Sequence, residues 1–253
     1  MSTTPPASPA PSPPGPSSRG LRMRETFRTV VADHFADGAA PVHAELVFSD
    51  APFDSDDEFL CDFYNEILHQ GTCDRYTQDG VPLLAVLATD DRVPPYERMS
   101  LVGLLFRIAT VAGRDEAECW PQPRSCGNPA AEARARAAVR EAVPRLLARW
   151  EAEPVIVRMP LTAIAAAFPT TEAAQALLPE LRTLAGRYRG RTLPGDYVRL
   201  AGTVIGRREN LLTAVEVLTS QYWSPTVRSA PLPGRAMHLL RQMLDRLLST
   251  ARA

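Results

Sequence analysis

Cysteines, histidines and paired carboxylates are the residues through which this chain could do chemistry, and their spacing argues against each chemistry in turn. Cys61, Cys73, Cys119 and Cys126 are separated by eleven intervening residues in the first pair and six in the second. Structural zinc sites bring ligands in tight pairs two to four residues apart, so even with His69 added the set could converge only by folding, and no metal site is expected. His34 lies beside an apolar helical stripe and reads as a packed residue, while His43 and His238 are isolated. Asp56-Asp57, Asp90-Asp91 and Asp115-Glu116 fall at expected helix ends or loops, where capping and solvation account for them. The run His69-Gln70-Gly71-Thr72 offers a proton carrier near neutrality. It reads better as a turn: Gly71 ends one helix in the left-handed conformation, and Thr72 or Asp74 starts the next. No HExxH, CxxC, GxSxG or GxGxxG pattern occurs, and no catalytic residue is assigned.

One absence removes whole reaction classes. All 28 basic residues are arginine. A Schiff-base or pyridoxal-phosphate enzyme needs an amine that can lose its proton, which arginine cannot supply. A Walker A loop and a protein-kinase site each need a lysine as well, so no cofactor is expected. Abundant Ala, Pro and Arg fit a GC-rich coding sequence as the source of the bias. No window approaches the ~18 apolar residues of a membrane span. Residues 1–20 hold seven prolines among Ser, Thr, Ala and Gly, with no apolar core of a secretory signal. They are expected to form a disordered tail, and the chain is expected to be cytoplasmic with free thiols.

Residues 21–253 carry helical periodicity nearly throughout. Phe27, Val30, Val31 and Phe35 share a face, and Phe59, Leu60, Phe63, Tyr64, Ile67 and Leu68 form a broad stripe opened by the acids of 54–58. Those acids suit a helix N-terminus, where unpaired amides and the dipole favour negative charge. Leu101, Leu104, Leu105 and Ile108 repeat the rhythm, then Val139 to Trp150, Leu211 to Tyr222, and Leu239 to Leu248. Val42 to Phe48 alternates like a strand, and Val155-Ile156-Val157 is β-branched, but neither has a pairing partner. The fold class is therefore all-α.

A proline recurs between aliphatic residues at Val81-Pro82-Leu83-Leu84, Val143-Pro144-Arg145-Leu146 and Leu178-Pro179-Glu180-Leu181, at intervals of 62 and 35 residues. Pro144 and Pro179 follow strong helical runs and are expected inside helices, bending them; Pro82 could instead follow a fresh start at Asp79-Gly80. Bent helices followed by straighter partners stack into a curved solenoid. Residues 114–130, with Pro121, Pro123, Gly127 and Pro129, read as an inserted loop that lengthens the first interval. The HQGT run, following an acidic amphipathic stretch and preceding Val81-Pro82-Leu83-Leu84, resembles bacterial, actinobacterial-type HEAT-repeat-like proteins over residues 54–113. This chain departs from that pattern in placing Cys73-Asp74-Arg75 before Tyr76. The resemblance implies a single right-handed α-solenoid of HEAT-like antiparallel helix pairs used for binding, and it implies no reaction.

Near-neutral composition conceals polarity. Residues 44–91 hold twelve acids and one base, whereas residues 182–253 hold twelve arginines and four acids. Arg187, Arg189, Arg191, Arg199, Arg207 and Arg208 are the candidate binding residues, presented to an anionic partner. Self-association of acidic half to basic half is a further option, and a solvated arginine-rich face is the plain alternative. The leading reading is a non-enzymatic binding or scaffold protein whose partner is another protein. Nucleic acid is disfavoured because the acidic half repels phosphate, and no membrane partner is expected. A second reading is an enzyme resembling the alkylpurine DNA glycosylases, with Trp150, Trp223 and Tyr188 beside the arginines. A third is an immunity-type inhibitor of a protein toxin.

Overall fold

A computed structural model of the chain describes residues 67–68 and 71–252, apart from 92, 94, 123–126, 189, 191, 208 and 223–229. The described residues form helices and turns and contain no strand. The helices are α1 (Thr77–Leu87), α2 (Pro95–Cys119), α3 (Pro129–Ala148), α4 (Val155–Ala167), α5 (Glu172–Ala176), α6 (Leu178–Arg187), α7 (Leu193–Ile205), α8 (Leu211–Tyr222) and α9 (Leu232–Arg252). The readings placed on the tail, on the stripe from Phe27 and on 42–48 lie outside the described residues, as does the stripe of 59–68 except for Ile67 and Leu68.

Local signals set many of the boundaries. Asn128 caps α3, its side chain accepting from the Ala131 N–H at 3.1 Å with Pro129 at the first position. Thr171 caps α5 through Ala174 N–H at 3.3 Å. Before α1, Asp74 accepts from Tyr76 N–H at 2.7 Å, and Thr77 Oγ1 accepts from Asp74 N–H at 2.9 Å. Thr77 also donates to the Ile67 carbonyl at 2.7 Å, pinning the chain where it enters the core. Val155-Ile156-Val157 opens a helix: Pro154 stands at its N-cap in extended conformation, and ten residues of α4 are buried.

The prolines divide into two behaviours. Pro82 and Pro144 lie inside α1 and α3, and so does Pro160 in α4, which has no place in the repeat pattern. Pro179, expected inside a helix, instead starts one. The run from Thr171 yields only five helical residues, the chain turns at Leu177, and α6 begins with Pro179 in its first turn. Proline there has no N–H for the ladder, and its ring opposes the carbonyl four residues back, so the helix restarts. A second correction concerns residues 114–130: α2 runs on to Cys119. Ala117 is fully packed, and Arg114 is buried with its guanidinium donating to the Gly71 carbonyl at 2.7 Å, so burial carries the helix past the expected break.

Helices two apart in sequence order stack on each other at α1 on α3 and α2 on α4; beyond the short α5, α4 stacks on α7, and α6 pairs with α7. The C-terminal helix departs from a one-dimensional stack, in which each unit touches only its neighbours. It packs across α2, α4 and α7 together, as well as on α8. Its crossing with α2 is close enough that Gly234 faces Gly113: a Cβ added at Gly234 would sit 2.8 Å from the Gly113 carbonyl oxygen. Leu239, Leu240, Met243 and Leu244 are buried apolar residues of α9. The same interface carries Arg107–Asp245 at 2.6 Å and Arg241–Glu118 at 3.2 Å.

Candidate binding groove

Two groups of arginines in the described chain have contrasting settings, and the difference locates the candidate site. The first population is structural. Arg98, on α2, is buried and donates to Glu153 between α3 and α4, its Nη2 at 2.7 Å, and it also binds the Val93 carbonyl. Glu153 is 2 % exposed and takes a second guanidinium, Arg149, at 3.2 Å. Arg136 donates to the Ala167 carbonyl at 2.6 Å while its guanidinium stacks over Phe168. Arg158 bridges the Glu153 and Glu151 carbonyls and covers the Trp150 ring. These side chains bridge neighbouring segments through hydrogen bonds and ring contacts.

The second population surrounds a groove of about 420 Å³ formed by α6, α7 and α8. Helices α6 and α8 each pack on α7, so α7 becomes a floor between two walls. Tyr197 fixes that floor: its ring is fully buried and its hydroxyl donates to the Met159 carbonyl of α4 at 2.7 Å. Gln175 adds a tie from α5 to the Ile205 carbonyl at 2.8 Å. The lining is mainly apolar, with Leu178, Leu181 and Ala185 on α6 and Ala214, Val217 and Leu218 on α8. On α7, Gly202 leaves the floor open, since a Cβ added there meets nothing within 4 Å.

Two guanidinium groups border this apolar trough. Arg199 is held by Asp196 at 2.8 Å and by the Gly190 carbonyl at 2.9 Å, so its charge is largely offset. Arg182 is exposed and has no acidic partner among the described residues. It is therefore the cation the groove offers to an occupant.

The expected arginine set is brought together only in part. Arg199 lines the groove; Arg187 is exposed in the last turn of α6, beyond the lining. Arg207 is exposed in the turn after α7 at φ +47°, a left-handed conformation that costs a non-glycine residue about 1–2 kcal/mol. Arg189, Arg191 and Arg208 lie outside the described residues. Reading by arginine density alone misses the apolar floor. A signal for it exists in the sequence: α6 spaces Leu178, Leu181 and Ala185 along one side, yet only Leu181 and Leu184 are buried.

Other chemistry-bearing residues have structural settings. Gly71 takes φ +78°, as a left-handed helix end requires, and Arg114 ties that turn to α2. Burial, with Glu132 adding to it, pushes the Cys73 thiol from its ordinary 9.0 up to about 12, so it stays protonated. His238 is buried on α9 with Nδ1 3.1 Å from Glu118, whose carboxyl this contact holds below the usual range. Trp150, offered above as a base-stacking residue, is a core residue at 3 % exposure. Tyr188 is half-buried, and burial raises its phenol. His34, His43, His69, Cys61, Cys126 and Trp223 lie outside the described residues. No helix of the described residues is long and apolar enough to cross a membrane.

No family model, curated protein or solved structure matches the chain to a significant degree. The groove itself is the ground on which a function has to be argued.

Proposed function

We propose that the chain is a non-enzymatic binding protein of HEAT-like construction, and that the α6–α7–α8 groove is its binding surface for another protein. The stacking of α1 on α3, of α2 on α4 and of α4 on α7 supports the repeat reading. In a curved repeat the succession α2, α4, α7 would be the face offered to a partner, but here α9 covers it. The uncovered feature is the groove. Its carrying observation is an open apolar trough, floored at Gly202, with Arg182 unneutralised at its edge. A volume near 420 Å³ lies within the ~300–1,000 Å³ of ligand sites, and an apolar trough between helices suits a helix-in-groove contact. Its polar lining supports binding rather than turnover: Asp196 is held by Arg199, and the remaining groups are Arg182, Thr203, Thr213 and Asn210.

A photo-reactive residue at Thr203, in the groove, tests this against one at Glu141, exposed on α3. In extract of the native cells, Thr203 is expected to crosslink to protein and Glu141 is not, and Gly202→Trp, which fills the trough, is expected to abolish the product. Equal crosslinking from both positions, or a product indifferent to Gly202→Trp, would remove the reading.

A further inference from the structure

The groove lining selects the form and the charge of what can fill it. We infer that the occupant is an amphipathic helix of the partner, with apolar anchors along two turns and a carboxylate on the flank that faces α6. This occupant rests on the reading of the groove as the binding surface and adds the chemistry of the segment it receives.

Form follows from backbone hydrogen bonding. The floor is itself a helix, Leu193–Ile205, whose N–H and C=O groups are used along its own axis. Both walls are helices as well, so the trough presents no strand edge for an extended peptide to pair with. Such a peptide would lay its backbone groups against apolar surface, with only side chains such as Thr203, Asn210 and Thr213 to meet them. Polyproline segments dock in grooves lined by aromatic rings, and no aromatic residue is among the described lining. A helix satisfies its own backbone and offers only side chains, which is what an apolar trough can accept.

Length sets the number of anchors. The lining runs over residues 178–185 of α6, 196–203 of α7 and 210–218 of α8. At 1.5 Å per residue each stretch is about 10–12 Å long, or two helical turns. Two turns take anchors at i, i+3 or i+4, and i+7. A large anchor seats over Gly202, where an added Cβ meets nothing within 4 Å.

Charge distinguishes the two walls. On α6, Arg182 is exposed with no acidic partner among the described residues, and Arg187 follows it in the last turn. The lining contributed by α8 is uncharged. On the floor, Asp196 is the one carboxylate of the described lining, and Arg199 holds it at 2.8 Å. Glu180, also exposed on α6, stands outside the lining. An acidic side chain is therefore favoured on the α6 flank, and a basic one there is repelled.

Binding of labelled model peptides to the full chain, followed by fluorescence anisotropy, tests this. The probe is a side-chain-stapled helix of about four turns, with leucines at i, i+3 and i+7 and one glutamate beside the middle leucine. It is expected to bind, and more weakly as salt rises. Lysine in place of that glutamate is expected to weaken binding about fivefold or more. Arg182→Glu, at an exposed position, is expected to reverse the order of the two peptides, and Gly202→Trp to abolish binding of both. An unstapled peptide of the same composition, carrying a central proline, is expected to lose binding. Circular dichroism checks that each variant is folded, and where Gly202→Trp is not, Val217→Asp replaces it.

The inference is overturned if the acidic peptide fails to bind up to about 1 mM, if the lysine peptide binds as well, or if the proline peptide does. Crosslinking from Thr203 separates the two levels. A product that persists when no helical peptide binds removes this occupant and keeps the groove as a protein-binding surface, whereas loss of the product as well removes both.

Discussion

Glycine has opposite meanings at the two faces of α7's neighbourhood. At the α2–α9 crossing, Gly234 exists because a carbonyl oxygen occupies the place of its side chain, 2.8 Å from where Cβ would be. On the groove floor, Gly202 is as bare, yet nothing approaches within 4 Å. The arginines split along the same line: Arg98, Arg114 and Arg136 are absorbed into hydrogen bonds between helices, while Arg182 faces solvent beside an apolar trough. Close packing with satisfied polar groups marks the part of the molecule that holds shape. Unfilled space beside an unspent charge marks the part able to accept something.

The sharpest break in this contrast is at Glu153. Replacing it by Ala leaves Arg98 buried without its carboxylate, and the expected loss is about 3–5 kcal/mol, read by urea unfolding. A loss below 1 kcal/mol would mean that the packed end is wetter than described.

Alkaline pH probes the same end. The folded Cys73 thiol is raised from 9.0 to about 12, so its contribution is fully present below pH 9 and is lost as pH rises through about 12. The limiting effect is about 4 kcal/mol, and comparing the slope of stability with pH 9–12 in the chain and in Cys73→Ala isolates it. Superimposable slopes would refute the burial of that thiol.

Gly234→Ala drives a methyl group into the Gly113 carbonyl and is expected to cost about 1–3 kcal/mol. Gly202→Ala relieves a helical glycine without contact and is expected to gain about 0.5–1 kcal/mol. Thermal unfolding of the pair under identical conditions measures the contrast directly. Like signs at the two glycines would erase it.

The fold class was legible because amphipathic period is a local property. Leu101, Leu104, Leu105 and Ile108 announced a buried helical face, as did Val139, Val143, Leu146 and Leu147, and each of these is in the core. The turn at Gly71 was legible for a similar reason, since a left-handed helix end selects glycine within a few residues of sequence. Pro179 shows where local reading fails. Proline inside a helix and proline starting one differ only in whether neighbouring contacts hold the preceding turn together, and the five residues of α5 lack that support. The continuation of α2 to Cys119 is the converse: packing of Ala117 and Arg114 sustained a helix that composition appeared to end.

The candidate site was half legible. Arginine density pointed to residues 182–208, and Arg199 does border the groove, but the trough depends on α6 and α8 both packing on α7.

What the amino-acid order determined alone was the helical period, the caps at Asn128 and Thr171, and the separation of acid from base along the chain, all of which act within a few residues or by simple summation. Which arginines are consumed, which glycine is crowded, and which face α9 covers were decided by tertiary structure. Those depend on residues more than a hundred positions apart, such as Gly113 and Gly234, whose approach no local interaction encodes.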